Sequence, residues 1–303
     1  MMRKQVKCSN RLEYASFLRN ALALKGSVTP KVFIRVICVV AYSMLISFLY
    51  HFIPSISLSI GPFEYAGFIM GLILAFRLNS CYERWWEARK IWGNVVNQSR
   101  NLAVIIVNYC SSQDIHWKTK VTNYIIALPY LMKNNLRDQS SIDEIRHLVE
   151  PSVYAKLEQV MHKPNALLSI IAKELHIYHM NQQLDSFSFL QAEEKRALLL
   201  DCQGACERIL KTPMPFVMVV KLKRFIFLFL IALPFAMVDV SAMISPLVTG
   251  LVAYALFSLD QVGFELQNPF VEDRLSHLPL DAICETIEKN IVEIRKLQCD
   301  EES

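Results

Sequence analysis

Residues 67–93 read GFIMGLILAFRLNSCYERWWEARKIWG, an apolar run that passes without a break into a dense charged and aromatic segment. In its first half, bulky residues recur four apart at Phe68, Leu72 and Phe76, each preceded by a small one: Gly67, Gly71 and Ala75. Four residues turn a helix by about 400°, so the two rows lie on neighbouring faces. Small residues at every fourth position let helices approach closely inside a bilayer. The bulky row beside them then points toward whatever the assembled helices enclose. Around a symmetry axis such a row becomes a hydrophobic constriction, which gates ions by dewetting. Spacing alone equally allows a lipid-facing or intrachain packing face.

The rest of the chain supports a membrane setting. Of 303 residues 53% are hydrophobic and 20% charged, with a mean hydropathy of +0.28. That is too apolar for an ordinary soluble domain and too charged for a chain lying wholly in lipid. The net charge of +4 is too small to imply nucleic acid. Val32 to Ile53 is long enough to cross a bilayer core of about 30 Å. Basic residues from Arg3 to Lys31 precede it, and Pro54 to Pro62 contains no Lys or Arg. A signal peptide would place its apolar core nearer the start, so residues 1–31 read as a retained cytosolic amphipathic segment. Phe63 to Phe76 then returns to Arg77, Arg84, Arg89 and Lys90, which makes a hairpin with both ends inside.

From Phe225 to Leu259 the only charge is Asp239, and a helix of that length would run about 52 Å. The chain must turn, and Asp239 to Pro246 supplies the break. Lys221, Lys223 and Arg224 mark the cytosolic entry, with Phe216 to Val220 completing the third span and the basic side chains snorkelling. Pro234 should free the carbonyl of Leu230 and bend that helix. The expectation is an all-α fold with four transmembrane helices and a cytosolic helical domain. It divides into residues 1–31, a hairpin at 32–79, a cytosolic domain at 80–212, a second hairpin at 213–265 and a cytosolic tail at 266–303.

Within the cytosolic domain, helical patterns run through Cys81 to Tyr109, His116 to Met132 and Leu184 to Leu210. Ser141 to Glu144 has a capping-box pattern, and Pro151 fits a first helical position. Turn signals fall at Ser111 to Asp114, Lys133 to Asp138 and Lys163 to Asn165. Leu280 to Leu297 is amphipathic, with Ile283, Ile287, Ile291 and Ile294 on one stripe.

Visible chemistry is sparse. The eight cysteines (Cys8, Cys38, Cys81, Cys110, Cys202, Cys206, Cys284 and Cys299) include no C-x-x-C pair. They read as buried small hydrophobes rather than metal ligands or disulfides. His176 and His179 lack a third ligand, and no phosphate loop, nucleophile elbow or dinucleotide fingerprint occurs. The expectation is therefore no enzyme activity, no catalytic residues, no metal and no cofactor. Asp260, closing the fourth apolar run, reads as a cap or as the partner of Arg77 or Lys223. Trp85 and Trp86 suit an interfacial belt. Interleaved with Arg84, Glu87 and Arg89, they also suit a packed, ion-paired junction.

The segment Arg77 to Gly93, Cys206-Glu207-Arg208 with Thr212-Pro213-Met214-Pro215-Phe216, Asn268-Pro269-Phe270 and Leu278-Pro279-Leu280-Asp281 together resemble bacterial bestrophin homologues, in order and over nearly the whole chain. The resemblance implies a homopentameric channel with one axial pore, in the bacterial inner membrane with both termini cytoplasmic. Its implied partners are further copies of itself, the lipid bilayer and small monovalent ions, chloride or sodium. It places a hydrophobic neck on Phe68, Leu72 and Phe76, helix packing around the pore on Gly67, Gly71 and Ala75, and a cytosolic constriction on Phe187. Relatives carry small or branched aliphatic residues at that last position, so Phe187 departs from the family pattern; a core role for Phe187 and Phe189 is the alternative. Animal relatives clasp calcium with an acidic run after the N-P-F motif, where this chain has only Glu272 and Asp273, too few for a calcium shell. The rival reading is a non-conducting membrane scaffold whose helical domain binds a partner. A transporter would show broken helices or an inverted repeat.

Overall fold

The computed structural model describes residues 23–24, 26–110 and 114–301, with side chains through residue 297. Most of the expected amphipathic segment, Cys8, and most of the expected turn after Cys110 lie outside the described residues, as does the Cys299 side chain. Among the described residues there are nine α-helices, two short 3₁₀ turns and no strand. They are α1 (Thr29–Phe52), α2 (Gly61–Tyr109), α3 (Ile115–Leu136), α4 (Pro151–Gln159), α5 (Lys163–Met180), α6 (Ser186–Lys211), α7 (Phe216–Ser241), α8 (Ser245–Leu266) and α9 (Leu280–Glu301).

Helix α2 contributes a long stretch to each of two compact units. One unit takes residues 1–80 and 215–265, the other residues 81–214 and 266–303. With 49 residues α2 is about 73 Å long, against a bilayer core of about 30 Å. No proline interrupts it after its first turn, so nothing in the chain stops the helix where its composition changes from apolar to charged.

In the first unit, α1, α2 and α8 are each long and apolar enough to cross a membrane. Helix α7 adds a charge-free run from Phe225 to Val238 behind Lys221, Lys223 and Arg224. The core of this unit joins Met70 and Leu74 of α2 to Leu222, Ile226, Phe229, Leu230 and Leu233 of α7 and to Ala253 and Leu256 of α8. Hydroxyls stitch α1 to its neighbours. Ser43 lies 3.3 Å from Ser245 Oγ and donates to Thr249 Oγ1 at 3.4 Å, and Thr29 Oγ1 lies 2.9 Å from Tyr254 Oη. Gly250 is required here, because a Cβ on it would sit 2.6 Å from Val40 Cγ2, a stiff β-branched side chain. Pro234 lies inside α7 as expected. Close by, the Tyr42 hydroxyl donates to the Ile231 carbonyl at 3.2 Å, and the Leu58 amide donates to Phe235 O at 2.9 Å.

In the second unit α3 is the central helix, buried along most of its length and packed by α5, α6 and α9. Asp114 caps its start by accepting from the Trp117 amide at 3.2 Å. Trp117 stacks on Tyr178 of α5 with ring centroids 3.7 Å apart. On α9 the fully buried row is Leu280, Cys284, Ile287 and Ile291, so Cys284 takes a core position and Ile283 and Ile294 flank the stripe, half-buried. Pro151 opens α4 as its position suggested. The capping-box pattern at Ser141 leads only into a 3₁₀ turn, Asp143–Ile145. Its Glu144 is drawn away to Lys133, which leaves no reciprocal cap to start an α-helix. The signal at Lys163 to Asn165 marks a helix start, with His162 Nδ1 accepting from the Asn165 amide at 3.3 Å.

Candidate functional site

The membrane part of α2 has two opposed faces. Met70 and Leu74 are buried in the core of their unit. Phe68 and Leu72 precede them by two residues, about 200° around the helix. Phe68, Leu72 and Phe76 are 75%, 48% and 64% exposed. The bulky row therefore faces away from the core of its own unit and, among the described residues, finds no intrachain packing partner, which favours lipid or an enclosed pore. The small row is mixed. A Cβ on Gly67 would lie 3.5 Å from the Phe229 ring, whereas Gly71 has nothing within 4 Å and Ala75 is exposed.

Where α2 leaves the apolar run, Arg77 turns inward and pairs with Asp260 of α8. Arg77 is only 2% exposed, and Asp260 is buried as well. This selects Arg77 from the partners the sequence allowed for Asp260. Each charge compensates the other's desolvation, so loss of one strands its partner. One turn further along α8, the buried Glu265 takes Lys31 Nζ and Gln261 Nε2, both at 2.8 Å.

In the second unit, the residues following this run on α2 do structural work. Arg84 donates to the Thr212 carbonyl at 2.6 Å and to the Ile209 carbonyl, and so closes the C-terminus of α6 with a cation, where the helix dipole favours one. Glu87 pairs with Arg208. Trp85 Nε1 donates to Ser276 O at 2.6 Å, and Tyr82, Trp85 and Trp86 form a stacked group. The junction reading of Trp85 thus has a hydrogen bond behind it, while Trp86 stays half exposed.

Phe187 stands at the start of α6 and is 82% exposed. Asp185 caps this end by accepting from the Phe187 and Ser188 amides at 2.9 and 3.1 Å. The Ser188 side chain, together with the Ser188 and Phe187 amides, holds its carboxyl below the usual carboxylate range. Phe189 packs against the core instead, stacked on His179 at 4.6 Å, and His179 Nδ1 lies 2.9 Å from Leu184 O. The two phenylalanines, two residues apart, have opposite environments.

Sequence reasoning missed the charge network that joins the last two motifs. Lys133, 2% exposed, binds Glu144 and Asp281 at 2.8 Å. Arg137 binds Asp281 at 2.9 Å and Glu272 at 2.6 Å, and donates to the Phe270 carbonyl at 3.3 Å. Burial opposes ionisation of Asp281, but the bonds from Arg137 and Lys133 outweigh it and bring its pKa down to about 2. The available signal was two cations four apart, Lys133 and Arg137, directly after the apolar stretch Tyr124 to Met132. Glu207 is similar: burial opposes its charge, while Gln203, His162 and Lys211 hold it below the ordinary value. Glu272 is thus already engaged by a guanidinium. Among the described residues no three His, Cys, Asp or Glu side chains gather as a metal site. Of the described cysteines, Cys81, Cys110, Cys202, Cys206 and Cys284 are buried thiols outside any disulfide and Cys38 is exposed. Burial pushes the Cys110 and Cys284 thiols up to about 12, which keeps them protonated and inert.

These features define an all-helical membrane protein with an apolar helical unit and a second unit cored by α3. The family model described as Bacterial/Fungal Bestrophin protein matches residues 9–293, and the chain belongs to that family. It is 36% identical over 280 residues to the voltage-dependent anion channel-forming protein alr2987 of Nostoc sp., covering 91% of each chain. It is 34% identical over 283 residues to the similarly named sll1024 of Synechocystis sp., again covering 91% of each. Among solved structures, a bacterial bestrophin homologue from Klebsiella pneumoniae matches with a TM-score of 0.83 at 27% identity, over 88% of this chain and 99% of that one.

Proposed function

We propose that this chain forms an anion-conducting channel, a homopentamer with one axial pore whose neck is lined by Phe68, Leu72 and Phe76. The observation that carries the reading is the outward row itself. Three large apolar side chains on a long membrane helix face away from their own core, in a chain whose relatives are named as anion channel-forming proteins. Rings of such side chains obstruct ions by dewetting and carry no charge preference of their own. Phe187 is proposed to supply a second, cytosolic constriction, its exposure being what a pore-facing residue requires. The same reading has all four of α1, α2, α7 and α8 as spans, with Gly71 and Ala75 against neighbouring copies and both termini on the cytoplasmic side of the inner membrane.

The test is flux from purified protein in liposomes under a chloride gradient. A reversal potential that follows chloride, and a current that rises in Phe76→Ala because the widened ring wets more easily, is the expected result. Reversal at the sodium potential would overturn the anion assignment. Absence of flux from a correctly assembled oligomer would favour the scaffold reading.

A further inference from the structure

A groove of about 380 Å³ opens between α2 and α7, within the apolar unit, and nothing in the proposed pore uses it. It is lined by Ile73, Arg77, Met218, Lys221, Leu222 and Phe225. Its volume falls within the roughly 300–1,000 Å³ of ordinary ligand sites. Four of the six lining side chains are apolar and the two polar ones are both cations. Arg77 gives one nitrogen to Asp260, but its buried Nε–H has no acceptor among the described residues. Lys221 is exposed and makes no hydrogen bond or ion pair among the described residues.

We propose that this groove holds an anionic phospholipid, its phosphate between Lys221 and Arg77 and one acyl chain along Ile73, Met218, Leu222 and Phe225. Three observations select that occupant. The Arg77–Asp260 pair is neutral as a unit, so Lys221 leaves the groove with one uncompensated positive charge, which a phosphodiester matches. The unsatisfied Nε–H of Arg77 costs free energy until an acceptor arrives, and phosphate oxygens are strong acceptors for a guanidinium. The cations also lie where the charge-free run of α7 begins, next to Lys223 and Arg224. Basic clusters at that level recruit anionic lipid headgroups, while the apolar wall extends toward the bilayer interior. A soluble anion would satisfy the charges and leave the apolar wall bare. A zwitterionic lipid would cover the wall without the net charge.

The experiment follows the melting temperature of the full-length protein in neutral detergent as phosphatidylglycerol is added. It reads binding and not conduction, so it stands or falls separately from the channel reading. The expected result is a rise of roughly 5–10 °C at hundredfold excess over Kd, with phosphatidylcholine and inorganic phosphate each giving far less. Lys221→Gln should weaken the phosphatidylglycerol response about tenfold or more. Met218→Asp, a carboxylate placed in the acyl slot at an exposed position, should abolish it. Lys289→Gln, on α9 and not lining the groove, should keep it. An equal response to phosphatidylcholine would reduce the groove to general lipid contact, and an equal response to phosphate alone would make it a free-anion site. A full response in Lys221→Gln would remove the headgroup assignment. Efficient cross-linking between copies through Met218→Cys in the presence of phosphatidylglycerol would give the groove to a second copy of this chain. Each of these four results overturns the proposal.

Discussion

The two units of this protein distribute polarity in opposite directions. In the first, large apolar side chains such as Phe33, Phe48, Phe68, Phe227 and Leu251 are exposed, while Ser43, Arg77, Ser245, Thr249, Asp260 and Glu265 are buried. In the second, Trp92, Tyr124, Leu128, Leu131 and Phe270 are buried, and exposed charges such as Lys289 and Glu285 pair along the surface of α9. Burial of apolar surface drives packing only where the alternative is water. In lipid the alternative is equally apolar, so close contact and internal hydrogen bonding hold helices together instead. The same chain therefore has one unit that buries most of its large apolar side chains and one that exposes many of them while adding buried hydroxyls and ion pairs to an apolar core.

Substitutions at matched positions sharpen that contrast. The largest effects are expected from removing one half of the buried ion pair. Arg77→Leu or Asp260→Leu should each cost about 3–5 kcal/mol, and the double variant should cost less than either single, because no charge is then stranded. Melting temperatures of the three proteins in one detergent decide it, and additive losses would mean that the pair is not coupled. Trp92→Ala should cost a comparable 3–5 kcal/mol through cavity formation. Phe68→Ala, also a large aromatic truncation but outward-facing, should change stability by less than about 0.5 kcal/mol. Similar losses from the two would erase the distinction between the units.

Gly250→Ala should cost about 1–3 kcal/mol by overpacking α1 against α8, read as a lower melting temperature; a neutral result would mean that Val40 moves aside. A smaller, pH-dependent effect belongs to the second unit. In the folded protein the bonds from Arg137 and Lys133 hold Asp281 at a pKa of about 2, below the ordinary 3.8 of an aspartate. Its contribution to stability is thus complete above pH 3.8 and is lost as pH falls toward 2. Asp281→Asn should flatten the acid side of the stability profile in that window, and an unchanged slope would show that other groups carry the acid sensitivity. Phe187→Ala should leave melting nearly unchanged, because its side chain packs against no core. A loss near that of Trp92→Ala would place the ring inside an interface.

Helix positions were readable because periodicity is a local property. The patterns at His116 to Met132 and Leu280 to Leu297 lie within α3 and α9, the one at Leu184 to Leu210 starts two residues before α6, and Pro151 sits at a first helical position, where its missing amide costs nothing. The row at Phe68, Leu72 and Phe76 was legible as a face for the same reason. Its direction was not, since a helical stripe states which residues align and not what they meet. Ser141 to Glu144 misled because a capping box needs its glutamate free to reach back, and Lys133 competes for it from another helix.

The amino-acid sequence by itself determined the helical class, the apolar runs and the family, because each depends on composition and order along one chain. Tertiary structure alone decided which partner Asp260 takes, that the bulky row of α2 turns away from its own core, and that Arg84 closes α6 from a distant helix. It also decided that Gly250 is needed for contact with Val40 and that two cations border an apolar groove on α2 and α7. Those facts depend on which side of one helix meets which side of another. Packing settles that through many weak contacts at once, and no single stretch of sequence encodes it.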